Sequence, residues 1–136
     1  MDPLIYVSRA DTKKRPVVNE RETEASLAGM GFRIVVPGTL PLSEQITIFR
    51  AARLVVGPHG AGLTNIAFCQ RPTRVLELAS TNYPNPCFAR IAQTRGLEYY
   101  AERFGAGRAT GNVHVQPWTI DISRLEQRVR ELMDDQ

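Results

Sequence analysis

Short apolar runs alternate with longer segments of helical periodicity along the first third of the chain. Residues 4–8 are apolar and rich in β-forming side chains, which predicts a buried strand. After a polar stretch, Asn19 can cap a helix whose first turn carries acidic residues. We expect this helix to end at about Met30, before Gly31, and to be followed by a second strand over residues 32–36.

The middle of the chain repeats this alternation. A loop rich in proline and glycine precedes Ser43, which can cap a second helix with one apolar face. Strands are predicted over residues 54–56 and 74–78. Between them lie a glycine-rich loop and a short predicted helix over residues 63–68.

The last third of the chain contains three further elements. A loop containing two prolines precedes a predicted helix over residues 88–95, which ends at Gly96 and leads into a fifth strand over residues 97–100. Ser123 and Glu126 have the spacing of a capping box at the start of a final helix. Apolar side chains recur at helical spacing through this helix towards the C-terminus.

This order of elements predicts an α/β fold. Apolar strands that alternate with helices are typical of a mostly parallel sheet that is buried on both faces and connected by right-handed crossovers. We therefore predict a Rossmann-like three-layer domain that residues 1–136 form as a single unit. A chain of 136 residues can bury one ordinary core, and no internal repeat interrupts this pattern.

Composition narrows the class of protein. Charged residues make up 23% of the chain and the apolar runs are short, which excludes a transmembrane segment. No secretory signal is recognisable at the N-terminus, so we expect a cytoplasmic protein. Two cysteines and two histidines provide neither a disulfide framework nor zinc-ligand spacing, so we expect no metal and expect both thiols to fill the core.

The positive net charge of +3 permits an anionic partner but does not identify one. The basic residues are spread along the chain, and Lys13-Lys14-Arg15 is the only basic run. A solvated loop accounts for that run. We therefore expect no nucleic-acid binding.

In an open α/β sheet, ligands bind beyond the carboxyl ends of the strands, so the loops at that edge are the expected site. The third strand is followed by Gly57-Pro58-His59-Gly60-Ala61-Gly62, here called the glycine loop, which leads into a predicted helix. Its small residues would let a diphosphate approach free N–H groups around Gly60, Ala61 and Gly62. Its spacing matches neither the dinucleotide fingerprint nor the P-loop, which argues against nicotinamide and ATP.

Five polar side chains near these loops are further candidates. Arg9 and Arg15 follow the first strand, and their guanidinium groups suit phosphate. His59 could donate to a phosphate, act as a base or merely fix the loop, and its glycine neighbours favour a role in the site. Glu77 is a carboxylate in an apolar strand, so it either binds ribose hydroxyls or forms a buried ion pair with an arginine such as Arg9. Asn65 either binds ligand or ties the loop to the helix.

Taken in order, these residues resemble glycosyltransferase family 61, which includes bacterial capsular-polysaccharide biosynthesis proteins and eukaryotic O-GlcNAc and xylosyl transferases. The resemblance is strong over residues 4–79 and weak beyond them. The matching pieces are Tyr6-Val7-Ser8-Arg9, Arg15, Asn19-Glu20, Gly31-Phe32, Leu42-Ser43-Glu44-Gln45, Ala52, residues 56–65, Phe68 and Val75-Leu76-Glu77-Leu78.

The resemblance implies an inverting glycosyltransferase of the GT-B fold, with this chain as its C-terminal half. That half binds a nucleotide sugar, usually a UDP-sugar, without an obligatory metal or another cofactor. The resemblance implies that Arg9, Arg15 and the amides of residues 60–62 hold the diphosphate, that Glu77 contacts the ribose and that His59 orients the phosphate or sugar. Glu20 and Asn65, which could instead have local structural roles, complete the predicted nucleotide-sugar site.

Family members carry a further N-terminal half that helps to bind the acceptor, and we expect it to be absent here. The expected partners are therefore a nucleotide sugar, a saccharide acceptor and an acceptor-binding half or partner chain, in a polysaccharide assembly pathway at the inner membrane surface. Two other functions stay open. One is a module that binds a nucleotide or sugar phosphate without turnover, and the other is a scaffold that assembles with another protein.

Overall fold

A computed structural model of the chain describes residues 3–10, 16–81, 85–105 and 116–134. In these ranges five parallel strands form one sheet in the order β2-β1-β3-β4-β5. The strands are β1 (Leu4–Val7), β2 (Arg33–Val35), β3 (Leu54–Pro58), β4 (Arg74–Ser80) and β5 (Glu98–Phe104). The helices are α1 (Glu20–Gly29), α2 (Leu42–Ala51), α3 (Cys87–Arg95) and α4 (Ile122–Asp134), with 3-10 segments at Pro37–Thr39 and Ala61–Phe68.

The helices cover both faces of the sheet. Because side chains alternate along a strand, Val55 and Val75 pack towards α2, α3 and the second 3-10 segment, whereas Val56 and Leu76 pack towards α1 and α4. Every residue of β3 is buried, which explains why the strand reads as a continuous apolar run. The predicted α/β, Rossmann-like, three-layer fold is therefore confirmed.

Several elements differ from the prediction in type or length; β3 and β4, for example, continue to Pro58 and Ser80. The helix predicted over residues 63–68 is a 3-10 helix that begins earlier, at Ala61. β5 does not end at residue 100 but continues to Phe104. Of the polar side chains that concealed its second half, Glu102 faces α4, where it pairs with Arg124 at 3.1 Å and with Arg128 at 3.4 Å.

The predicted helix caps are mostly wrong. α1 begins directly after Asn19, as expected, but the side chain of Asn19 makes no capping hydrogen bond. α2 begins one residue before Ser43, which therefore lies inside the helix instead of capping it. At α4, Oδ1 of Asp121 accepts a hydrogen bond from the Arg124 N–H at 3.1 Å, so Asp121 takes the capping role predicted for Ser123.

Asn19 instead joins the start of α1 to the segment that precedes α4. Its Nδ2 donates to the carbonyl oxygen of Ile120 at 2.7 Å, and its Oδ1 accepts from the Ile120 N–H at 3.0 Å. A parallel bridge between Val17 and Trp118 extends the contact. The Asn19 side chain thus makes two hydrogen bonds of the kind that a neighbouring strand would make, and it joins segments 101 residues apart.

The described residues include neither a helix long and apolar enough to cross a bilayer nor a group of three His, Cys, Asp or Glu residues that could hold a metal ion.

Both cysteines are free thiols. Cys69 is fully buried in the core, as predicted, and burial raises its pKa to about 12. Cys87 is only half-buried, and burial together with the nearby Glu77 carboxylate raises its pKa.

Asn19→Ala should lower the free energy of unfolding by about 1–3 kcal/mol, because it removes the partner of two backbone groups of Ile120. Ser43→Ala is the matched control, since Ser43 is exposed on α2 and its loss should change stability by less than about 0.5 kcal/mol. Urea unfolding followed by circular dichroism measures both variants. Equal effects of the two substitutions would contradict the role of Asn19.

Candidate functional site

β1 and β3 lie where the sheet divides, with β2 on one side and β4 and β5 on the other. Ligands of doubly wound sheets bind at such a switch point, beyond the carboxyl ends of the strands. The backbones of β1 and β3 approach closely here. A Cβ added to Gly57 would lie only 2.9 Å from the Cβ of Val7. Glycine at this position therefore brings the loops after β1 and β3 together.

A pocket of about 360 Å³ opens at this switch point. Its lining residues are Val7, Ser8, Arg9, Pro37, Gly38, Gln45, Pro58, Gly60, Ala61, Gly62, Leu63 and Asn65. Arg9 is the one charged residue among them, and no carboxylate belongs to this lining in the part of the chain that the structure describes. The pocket therefore favours an anionic group.

Arg9 packs directly on Gly60. Its Nη1 donates to the carbonyl oxygen of His59 at 2.7 Å, and only 8% of the residue is exposed. A Cβ added to Gly60 would lie 1.6 Å from Nη1, so glycine is required here to leave space for the guanidinium. Backbone strain is not the reason, because the φ of Gly60 is 165°, in the extended region that any residue adopts.

The 3-10 helix Ala61–Phe68 begins at the pocket wall. Its first backbone hydrogen bond joins the Leu63 N–H to the Gly60 carbonyl oxygen at 3.0 Å. The N–H groups of Ala61 and Gly62 precede this bond, so they have no partner within the helix. A helix N-terminus also carries partial positive charge, and Ala61 and Gly62 line the same pocket as Arg9.

Asn65 and Gln45 form a hydrogen-bonded pair in the pocket wall. Nδ2 of Asn65 donates to Oε1 of Gln45 at 2.8 Å. Nε2 of Gln45 in turn donates to the carbonyl oxygens of Pro37 and Leu40, both at 2.9 Å. The pair ties the 3-10 helix to the start of α2, so Asn65 has the structural role considered from the sequence and also lines the pocket.

Glu20 fixes the end of β1 from behind the pocket. Its Oε1 accepts from the Arg9 N–H at 2.8 Å and from the Ser8 hydroxyl at 3.0 Å, and its Oε2 accepts from the Tyr6 hydroxyl at 3.1 Å. Burial and the Glu20 charge raise the pKa of Tyr6, so its hydroxyl remains a donor. Glu20 therefore holds the main chain of Arg9 and is absent from the described pocket lining.

His59 of the glycine loop and Glu77 of β4 form a buried pair. Nδ1 of His59 lies 2.5 Å from Oε2 of Glu77, and the two residues are 8% and 2% exposed. The Tyr99 hydroxyl donates to the other Glu77 oxygen, also at 2.5 Å, and burial followed by Glu77 raises the pKa of Tyr99. The ring of Phe88 meets the imidazole edge-on, with 4.7 Å between ring centroids.

The structure brings together most of the residues predicted from the sequence. Arg9, Asn65 and residues 60–62 line the pocket, whereas Glu20, His59 and Glu77 lie one or two hydrogen bonds behind it. Arg15 lies outside the described residues. Both oxygens of Glu77 accept hydrogen bonds from protein groups, so its predicted contact with ribose has no support in this geometry.

Tyr99 is the member of the site that sequence reasoning missed. It pairs in register with Val75, so it faces the same side of the sheet as Glu77. A hydroxyl on one strand and a lone carboxylate on its neighbour were visible in the sequence. Their contact depends on the register between β4 and β5, which the sequence pattern did not provide.

Gly60→Ala should force the Arg9 guanidinium away from the His59 carbonyl and lower the free energy of unfolding by about 1–3 kcal/mol. Gly29→Ala, at the end of α1, is the control because nothing lies within 4 Å of the added Cβ, and alanine should stabilise this helical position by up to about 1 kcal/mol. Urea unfolding measures both changes. If Gly60→Ala were equally costly in an Arg9→Ala background, the clash with Arg9 would not be its cause.

The chain is similar to known glycosyltransferases. It is 42% identical over 60 residues to beta-1,2-xylosyltransferase RCN11 of Oryza sativa subsp. japonica, covering 44% of this chain and 11% of that protein. It is 31% identical over 86 residues to a beta-1,2-xylosyltransferase of Arabidopsis thaliana, covering 63% of this chain and 16% of that protein. It is 35% identical over 99 residues to the EGF domain-specific O-linked N-acetylglucosamine transferase of Drosophila melanogaster, covering 71% of this chain and 19% of that protein.

The chain spans less than a fifth of the length of these curated relatives. Residues 2–76 match the family described as Glycosyltransferase 61. This region contains β1, the Glu20 carboxylate, the glycine loop and the first half of β4. Because the match covers more than half of the 136 residues, the chain belongs to glycosyltransferase family 61.

Proposed function

We propose that the pocket at the switch point binds the diphosphate of a nucleotide sugar, and that the chain is the donor-binding part of a glycosyltransferase. One observation carries this proposal: Arg9 and the first residues of a helix, Ala61 and Gly62, line a pocket whose described lining contains no carboxylate. A volume of about 360 Å³ lies within the range of small-molecule sites. It suits a diphosphate with part of its attached groups.

Arg9 and the two amides act on the leaving group in this proposal. The acceptor oxygen forms a bond to the anomeric carbon while the bond from that carbon to the phosphate oxygen breaks, so negative charge develops on the departing UDP. A buried guanidinium and a helix N-terminus stabilise that charge because both are already oriented in the free protein. Direct displacement inverts the anomeric configuration, and these donors supply charge stabilisation without an obligatory metal.

Transfer also requires a base for the proton of the acceptor hydroxyl. In this chain the candidate is His59, because the Glu77 carboxylate at Nδ1 orients its imidazole, as a general base requires. A base from another part of a longer protein is the alternative, with His59 then orienting the phosphate or sugar. The first arrangement requires the acceptor to reach the imidazole, which lies outside the described pocket lining.

The relatives suggest which sugars to test. Two of them are named as xylosyltransferases and the third as an N-acetylglucosamine transferase. We propose UDP-xylose and UDP-GlcNAc as candidate donors, and a hydroxyl of a saccharide or other molecule as the acceptor. Because the chain spans less than a fifth of these relatives, we propose that a further half or a partner chain binds the acceptor.

A second candidate function is a module that uses the same pocket to bind a nucleotide or sugar phosphate without turnover. The position of His59 outside the described pocket lining favours this candidate, because binding requires no base. Binding experiments alone do not separate the two functions, because both require the pocket. A scaffold that only assembles with other proteins would instead leave the pocket without a ligand.

UDP should raise the Tm of the chain in a concentration-dependent way. Arg9→Ala should weaken UDP binding about 10- to 100-fold, because a charge-assisted hydrogen bond to phosphate is lost. Arg130→Ala is the matched control, since its side chain is 62% exposed on α4 and should not affect affinity. Thermal shift and isothermal titration calorimetry measure these effects. We would reject nucleotide-sugar binding if UDP, UDP-xylose and UDP-GlcNAc all left the Tm unchanged, or if Arg9→Ala bound like wild type.

Release of UDP from UDP-xylose or UDP-GlcNAc separates the enzyme from the binding module. An enzyme should release UDP faster when saccharide acceptors are added, and EDTA should leave the rate unchanged. His59→Asn should lower the rate about 10²- to 10⁴-fold if His59 is the base. Binding of UDP without acceptor-dependent release would favour the module, and a rate abolished by EDTA would contradict metal-independent transfer.

A further inference from the structure

A line of buried and half-buried polar groups connects β5 to the pocket. The Tyr99 hydroxyl donates to Oε1 of Glu77 at 2.5 Å, and Oε2 of Glu77 lies 2.5 Å from Nδ1 of His59. The carbonyl oxygen of His59 then accepts from Nη1 of Arg9 at 2.7 Å. Of these four residues, Arg9 belongs to the described pocket lining. Glu77 and Tyr99 are therefore connected to the pocket without contacting it.

The donors in this line determine the protonation of its members. Tyr99 keeps its proton, because burial raises its pKa, and its hydroxyl donates a hydrogen bond to Glu77. A carboxylate that is only 2% exposed requires a donor on its other oxygen as well. That donor is Nδ1–H of His59.

His59 is fixed through both its side chain and its main chain. Glu77 holds Nδ1, and the Phe88 ring packs against the imidazole at an interplanar angle of 66°. The His59 N–H donates to the Leu78 carbonyl oxygen at 2.7 Å. Together these contacts fix the position of the His59 Cα, and the carbonyl oxygen that follows it accepts the hydrogen bond from Arg9.

We propose that Glu77 and Tyr99 are positioning residues that hold Arg9 in place through His59. The Arg9 side chain packs against the Cα of Gly60 and donates to the His59 carbonyl oxygen. The guanidinium therefore contacts the peptide group that joins His59 to Gly60. A change in the tilt of the imidazole tilts this peptide and moves Arg9. The consequence for ligand binding rests on the proposed function, whereas the coupling between Tyr99 and Arg9 is a property of the free protein.

The tautomer of His59 is the first test, and ¹⁵N NMR of the imidazole nitrogens reports it. The chain has two histidines, so the signals that disappear in His59→Asn are those of His59. We expect the Nδ1–H tautomer in wild type and a larger fraction of Nε2–H in Glu77→Gln, because a neutral amide holds Nδ1–H less strongly than a carboxylate. A predominant Nε2–H tautomer in wild type would overturn the proposal.

A double-mutant cycle with Arg9 is the second test. Glu77→Gln should weaken UDP binding about 10-fold and Tyr99→Phe about 3-fold, but each should have less than about a 2-fold effect in an Arg9→Ala background. Tyr100→Phe is the matched control, because it removes a hydroxyl from the opposite face of β5 and should leave affinity unchanged. Equal fold-changes in both backgrounds would show that Glu77 and Tyr99 do not act through Arg9.

The same cycle on the unfolding equilibrium constant requires no ligand. Non-additivity of about 3-fold or more between Tyr99→Phe and Arg9→Ala supports the coupling, and additivity overturns it. If wild type does not bind UDP, the proposed function fails, and this cycle and the tautomer decide the positioning role by themselves. Tyr99→Phe, at a half-buried position, keeps the test available if Glu77→Gln does not fold.

Discussion

The hydrogen bond from Arg9 to the His59 carbonyl joins the ends of β1 and β3 at the place where the sheet divides. It keeps a positive charge at a largely buried position, which is costly unless the surroundings are arranged for it. Gly57 allows the two strands to approach, Gly60 leaves space for the guanidinium, and Glu20 fixes the Arg9 main chain. The glycine loop is therefore shaped around an arginine before any ligand binds.

Features that depend on local pattern were predictable from the sequence, and features that depend on distant partners were not. The buried run of β3 and the stop of α3 at Gly96 follow from apolar composition and from a left-handed glycine, whose φ is 70°. Asn19 has the residue type of a helix cap, but a backbone segment 101 residues away takes its hydrogen bonds. The segment Ala61–Phe68 packs between α2 and α3 as a 3-10 helix. The spacing of its apolar residues does not distinguish this form from an α-helix.

The candidate site shows the same division. The residues that gather there were predictable, because parallel strands place their carboxyl ends at one edge of the sheet. Which of them face the ligand was not. Glu77 could be recognised as a buried carboxylate in need of a partner, but the choice of His59 and Tyr99 over an arginine depends on the register of β5 and the packing of Phe88. A polar residue in an apolar strand thus indicates a contact without identifying it.

The link from Asn19 to Ile120 shows that the stretch recognisable as a family member is shorter than the stretch that must fold together. The family match ends at residue 76, inside β4, yet Tyr6 and Leu27 share a hydrophobic cluster with Leu125 and Val129 of α4. A fragment cut at the end of the match would lose α4 from one face of the sheet and α3 from the other. The closing helix needs only an apolar stripe of suitable size, which many sequences provide. The sequence of α4 can therefore vary more freely than that of the glycine loop, where Gly60 makes room for one particular side chain.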